Sequence, residues 1–218
     1  MENLHPALGD WVGGPMFAGA EKFSSSVEFA MYPATAPILD YESSDADSLR
    51  QDSGLWGESI VEHVRRQHIG NVLLAANWVF YSKVPNSNLA PMQGVADKLA
   101  ATTAALRRAG ATVWIMKVVP SQPVWVPMGM AKALLNGRSI DIGVTKQKYQ
   151  ASSRLEDEFL APAAESGAII LDPAPYFFQH QETCMVESGG DPIYADDNHI
   201  NSCGASLLGE LFRPIFSK

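Results

Sequence analysis

AALRRAGATVWIMKVVP, residues 104–120, decides how the chain is read. Its first half closes an amphipathic helical period that begins near residue 91. Gly110 is the stop, since glycine takes the left-handed backbone that ends a helix. TVWIMKVV (112–119) then runs almost wholly apolar until Pro120 ends it. A strand with one wet face alternates apolar and polar residues. An unbroken apolar run implies burial on both faces, the condition of a strand inside a parallel sheet. The same reading applies upstream to NVLLAAN (71–77) and downstream to AIILD (168–172). Helical periods over 55–68, ending near Gly70, and over 146–166, ending at Gly167, separate these runs. Alternating helices and buried strands imply an α/β fold, a three-layer α/β/α sandwich with a mainly parallel sheet.

Further elements are expected around this frame. Residues 3–12 (NLHPALGDWV) have helical spacing. Residues 26–32 (SVEFAMY) alternate as a strand stopped by Pro33. Residues 41–53 are polar and read as a loop. The Pro- and Gly-rich segment 120–144 holds a short helix near 129–136 and is long enough to serve as a lid. The last helix is expected over 202–212.

The 218 residues suffice for one α/β domain with a full core. The net charge of −8 and the absence of a basic run argue against a nucleic-acid partner or an anionic membrane surface. No apolar stretch reaches the ~20 residues that span a bilayer, and no secretory leader is read at the start. Taken as it stands, the chain is expected in the cytoplasm. The two cysteines, Cys184 and Cys203, fit no zinc spacing. Their sequence positions leave a disulfide and two free thiols both open.

Chemistry concentrates in YADDNHINSCGASLL, residues 194–208. An aspartate three residues before a histidine can hydrogen-bond the ring in a tight turn. That bond fixes the tautomer and leaves the other nitrogen free to take a proton. Asp196 stands at this spacing from His199, and Asp197 is its rival. In the structural alternative Asp197, Asn198 and Asn201 or Ser202 are turn and N-cap residues of the last helix. A metal site formed by Asp191, Asp196, Asp197 and His199 is a further alternative. No cofactor is expected.

Asp-x-x-His, then a polar residue and Gly204-Ala205 at the opening of the final helix, resembles the last block of the SGNH/GDSL hydrolase superfamily. NVLLAANWVFY (71–81), AALRRAGATVWIMKVVPSQP (104–123) and TCMVESGGDPIYADDNH (183–199) are similar to the SGNH domains fused to membrane O-acyltransferases of the acyltransferase-3 type. The resemblance implies that His199 is the catalytic base, Asp196 its partner, and Asn77 the side-chain donor to the oxyanion hole. The implied activity is transfer or hydrolysis of an acyl ester, acetyl above all, on carbohydrate. The implied setting is periplasmic or otherwise extracytoplasmic, beside a membrane acyltransferase domain.

The family's Gly-Asp-Ser-His is not in this sequence. Gly9-Asp10 precedes Trp11 and Gly190-Asp191 precedes Pro192. MENLHPALGDW (1–11) resembles the helix that follows that motif, so the serine and first strand are expected upstream of Met1. A sheet without its first strand is expected to self-associate through its edges. The loop after Tyr32, PATAPIL, also lacks the glycine of the family's second block. Ser24, Ser25, Ser26 and Ser53 are nucleophile candidates by composition only. Trp78, Trp114, Trp125 and Tyr81 are candidates to line a sugar cleft, with packing as the structural alternative. A non-catalytic glycan- or partner-binding module on the same scaffold is the competing function.

Overall fold

In chain order the computed structural model, which describes residues 26–31, 35–41, 52–78, 80 and 92–217, contains seven helices and five strands among those residues. They are α1 (Ser53–Gln67), β1 (Asn71–Ala75), α2 (Met92–Arg108), β2 (Thr112–Met116), α3 (Val126–Leu135), α4 (Lys146–Glu165), β3 (Ile169–Leu171), α5 (Ala174–Phe178), β4 (Glu187–Ser188), β5 (Asp191–Pro192), α6 (Ser202–Ser206) and α7 (Gly209–Phe216). The described residues pack as two compact units: those within 30–118 and 152–171, and those within 26–29, 119–151 and 172–217.

The first unit is built on a parallel sheet in the order β1-β2-β3. Register puts Val72 beside Val113, and Leu74 beside Ile115 and so Ile170. These residues face a core filled by Val64 of α1, Val95, Leu99 and Leu106 of α2, and Phe159, Leu160 and Ala163 of α4. Trp114 and Met116 point to the opposite face and are buried too. The central strand is therefore apolar on both sides, as its unbroken run requires.

The exits of the strands are tied down by polar bonds. The Trp78 indole is fully buried, stacks on Phe159 at a ring separation of 6.1 Å, and donates to the Met116 carbonyl at 2.7 Å. Beyond β2, the Val118 amide donates to Glu156 Oε1 (2.8 Å), and Lys117 Nζ pairs with Asp157 (2.6 Å).

In the second unit α3 begins where Pro127, in the first turn, needs no amide partner. The β4–β5 hairpin turns on Gly189 and Gly190, both at positive φ, the demand of a two-residue turn between strands. Tyr194 packs against Phe177 with the rings tilted by 48°, and Tyr149 against Phe178.

The fold class is α/β with a parallel sheet, and the three strand readings and the helices α1, α2 and α4 lie within a few residues of their expected bounds. Other expectations differ. Residues 26–31 are not in a strand: Phe29 and Met31 are half exposed, so their alternation has no buried face to serve. The short helix begins at Val126 rather than 129. The last helix is two pieces, because Leu207 and Leu208 bond back only three residues, to Gly204 and Ala205, and Gly209 is a poor helix propagator. Tyr194 forms an isolated bridge with Ile200. The helix expected over 3–12 lies outside the described residues.

Candidate active site

The loop 194–200 is closed by its own short-range bonds. Tyr194 and Ile200 form an antiparallel bridge, and the Ala195 amide donates to the His199 carbonyl at 2.7 Å. Inside this loop Asp196 Oδ1 accepts the Asn198 amide (2.8 Å) and the His199 amide (2.7 Å). This is the Asx turn that aspartate forms readily. It turns the second oxygen, Oδ2, onto His199 Nδ1 at 2.6 Å. Asp197 points outward and is exposed. The ring bond therefore belongs to Asp196, and the rivalry between the two acids is settled by the turn.

Burial works against charge on Asp196, but the Asn198 and His199 amides and then the His199 ring outweigh it and hold the carboxyl below the usual aspartate value. A carboxylate at neutral pH takes the ring's Nδ1–H, which leaves Nε2 as the proton acceptor. His199 and Asp196 side chains are 37% and 32% exposed, so the pair is reachable from solvent.

A second segment holds the loop from outside. The Gln122 amide donates to the Asp197 carbonyl (2.6 Å), the Val126 amide to the Asp196 carbonyl (3.1 Å), and the Trp125 indole to the Ala195 carbonyl (3.0 Å). Tyr194 Oη reaches the Pro120 carbonyl at 2.9 Å. Buried Gln122 spends its side chain fully: Nε2 donates to Pro120 and Cys184, and Oε1 accepts the Val144 amide. Behind the loop, Asn201 caps α6 through Cys203 and Gly204 and donates to the Pro192 carbonyl. The N-cap role foreseen for Asn201 thus stands beside the Asp196–His199 bond and does not replace it.

Asn77 lies in the other unit, just past β1. Its Oδ1 accepts the Phe80 amide at 3.0 Å, which closes a local turn, and the residue is exposed. Ser53 is fully buried in the first turn of α1 and Ser26 is exposed outside any element, while Ser24 and Ser25 lie outside the described residues. Both cysteines are free thiols. Among the described residues no group of three or more His, Cys, Asp or Glu is arranged to hold a metal ion. No helix among them is long and apolar enough to cross a membrane.

A model of the SGNH domain found fused to AT3 domains matches residues 13–214. The chain belongs to this family. The match begins after MENLHPALGDW, so that stretch is not part of it. Among solved structures, this SGNH domain is similar to the periplasmic domain of a Salmonella ser. Paratyphi A lipopolysaccharide acetyltransferase. The TM-score is 0.67 at 14% identity, over 92% of this chain and 77% of that one, a likeness of fold. Among curated proteins no sequence match was found.

Two features of this SGNH domain were not read from its sequence in the roles they have, although Trp125 was a candidate to line a sugar cleft and Asp191 a candidate metal ligand. One is the clamp by Gln122 and Trp125, whose partners lie far along the chain. The only hint was a glutamine and an indole set between prolines in PSQPVWVP. The other is the hairpin that carries Gly190-Asp191, where paired glycines were the available signal.

Proposed function

We propose that this SGNH domain works in transfer or hydrolysis of O-acyl groups, O-acetyl above all, on carbohydrate, outside the cytoplasm and next to a membrane acyltransferase domain. The carrying observation is the 2.6 Å bond from His199 Nδ1 to Asp196 Oδ2 within a loop fixed on both sides. In this reading His199 Nε2 takes the proton of a serine hydroxyl as it attacks the acyl carbonyl. It then returns that proton to the leaving oxygen. Asp196 orients the ring and stabilises its charged form. The Asn77 amide donates to the carbonyl oxygen as negative charge builds there.

The serine is the part the 218 residues do not offer in a Gly-Asp-Ser-His setting. In this reading a serine from outside them is the nucleophile, and without it the domain is expected to cleave esters poorly or not at all. The test is p-nitrophenyl acetate cleavage by this chain and by a form extended upstream through an in-frame Gly-Asp-Ser-His. The extended form should gain activity and lose about 10²- to 10⁴-fold on His199→Ala. Strong cleavage by the short chain that survives His199→Ala would refute the assignment. The missing motif also favours the competing reading, a binding module on the same scaffold, which gains if no such sequence lies upstream.

A further inference from the structure

Four aromatic residues are candidates for a sugar cleft, and their surroundings separate them. Trp78 is fully buried with its indole bonded to Met116, and Trp114 is 7% exposed with its indole bonded to Asn71. Both are core residues. Tyr81 lies outside the described residues. Trp125 differs: it is 58% exposed, and its indole N–H is held by the Ala195 carbonyl, one residue before Asp196. The next amide, Val126, holds the Asp196 carbonyl itself. The indole is therefore anchored by its edge to the loop that carries the base, while much of its ring stays in water. Met128, one helical turn on, and Val124 extend the exposed apolar surface beside it.

A large apolar ring kept in solvent gains nothing from burial, yet here it is fixed in place by a hydrogen bond. An anchored, exposed indole suits a ligand with one apolar face and polar edges. A pyranose has that form: one face presents C–H bonds that meet the electron-rich ring face, and the hydroxyls project from the rim. We propose that Trp125 is the platform for the sugar ring of the substrate, holding it so that a rim hydroxyl or its ester faces His199. The assignment rests on the proposed function, and it names the residue that recognises the carbohydrate rather than the acyl group.

The test is a binding titration that needs no turnover. The 218-residue chain, ¹⁵N-labelled at tryptophan, is titrated with methyl mannopyranoside, galactopyranoside and rhamnopyranoside, and with xylitol as an open-chain polyol. The Trp125 indole N–H signal is assigned by its loss in Trp125→Phe. At least one glycoside should move that signal saturably, and xylitol should not. Trp125→Ala should weaken the apparent affinity by about tenfold, and Trp125→Phe by no more than about threefold. Both variants lose the bond to Ala195, so the difference between them isolates the ring face from any loosening of the loop.

The proposal is overturned if no glycoside binds, if xylitol binds as well, if Trp125→Ala binds like the parent, or if the two variants are equally weak. A positive titration with no ester cleavage by the form extended through Gly-Asp-Ser-His removes the acyl-transfer reading and leaves Trp125 as a sugar platform. The reverse pair of results removes the platform alone.

Discussion

Gly204→Ala should destabilise the domain even though alanine is the better helix residue. A Cβ built at Gly204 meets the Ile193 carbonyl oxygen at 2.2 Å, Ile200 Cβ at 3.0 Å and the Ile193 carbonyl carbon at 3.2 Å. The nearest atom is backbone and cannot swing aside, so α6 and residue 193 must part by roughly an ångström. Overpacking of this kind costs about 1 to 3 kcal/mol. A backbone obstacle puts this case at the upper end, against a helix-propensity gain of about 1 kcal/mol. The net loss is about 2 kcal/mol, a fall in Tm of roughly 4–8 °C for a domain of this size. The Ile193 carbonyl also accepts the Asn201 amide, so parting it loosens the cap of α6 behind His199. Gly209→Ala is the control, since nothing lies within 4 Å of its added carbon. Thermal and urea unfolding followed by circular dichroism would measure both. If Gly204→Ala is as stable as the parent, or Gly209→Ala loses as much, the close approach at Ile193 is not what demands glycine.

Asp196→Asn keeps Oδ1 for the two backbone amides and places an NH₂ against Nδ1. Long-range ¹H–¹⁵N spectra should show the neutral ring switching from the Nδ1–H to the Nε2–H tautomer. An unchanged tautomer would show that the carboxylate does not set it. The Asp196 carboxyl is held below its unfolded value, so its contribution to stability is present above about pH 4 and is lost as pH falls through the folded value. Acid titrations of Tm should therefore lose part of their slope in Asp196→Asn, and coincident curves would count against the sign. Burial pushes the Cys184 thiol up, against weaker help from its bonds to Tyr194 and Gln122. Iodoacetamide at pH 8 should label half-exposed Cys203 well before Cys184 by mass spectrometry. Equal rates would contradict the burial of Cys184.

The parts legible in the sequence are those whose physics is local. NVLLAAN, TVWIMKVV and AIILD read as buried parallel strands because an unbroken apolar run has few other uses at that length. Asp196 and His199 were legible as a pair because three residues of spacing allow a turn. The choice of Asp196 over Asp197 came from the family resemblance and not from spacing alone, since it depends on which carboxylate accepts the Asn198 and His199 amides. Residues 26–31 misled because alternation does not say whether a core waits on one side. The β4–β5 hairpin has two-residue strands, too short for any period, and is set instead by positive φ at Gly189 and Gly190. The Trp125 anchor was out of reach for another reason: its partner is Ala195, and nothing in PSQPVWVP points that far along the chain.

The Asp196–His199 bond is hard to explain as a device for stability. A half-exposed pair of this kind contributes ~0–1 kcal/mol, and the loop is already closed by the Tyr194–Ile200 bridge and clamped at three carbonyls. Asparagine at 196 would make the same two amide bonds through Oδ1 and close the same turn. What aspartate adds is a second, charged oxygen, and that oxygen is bonded to the imidazole. The charge on that oxygen is directed at the ring, where it selects the Nδ1–H tautomer. In the proposed reaction a ring so prepared, in a side chain 37% exposed, exchanges protons with a group it meets from outside. A domain that merely displayed a glycan surface would have no use for that oxygen, which is why the bond weighs toward proton transfer.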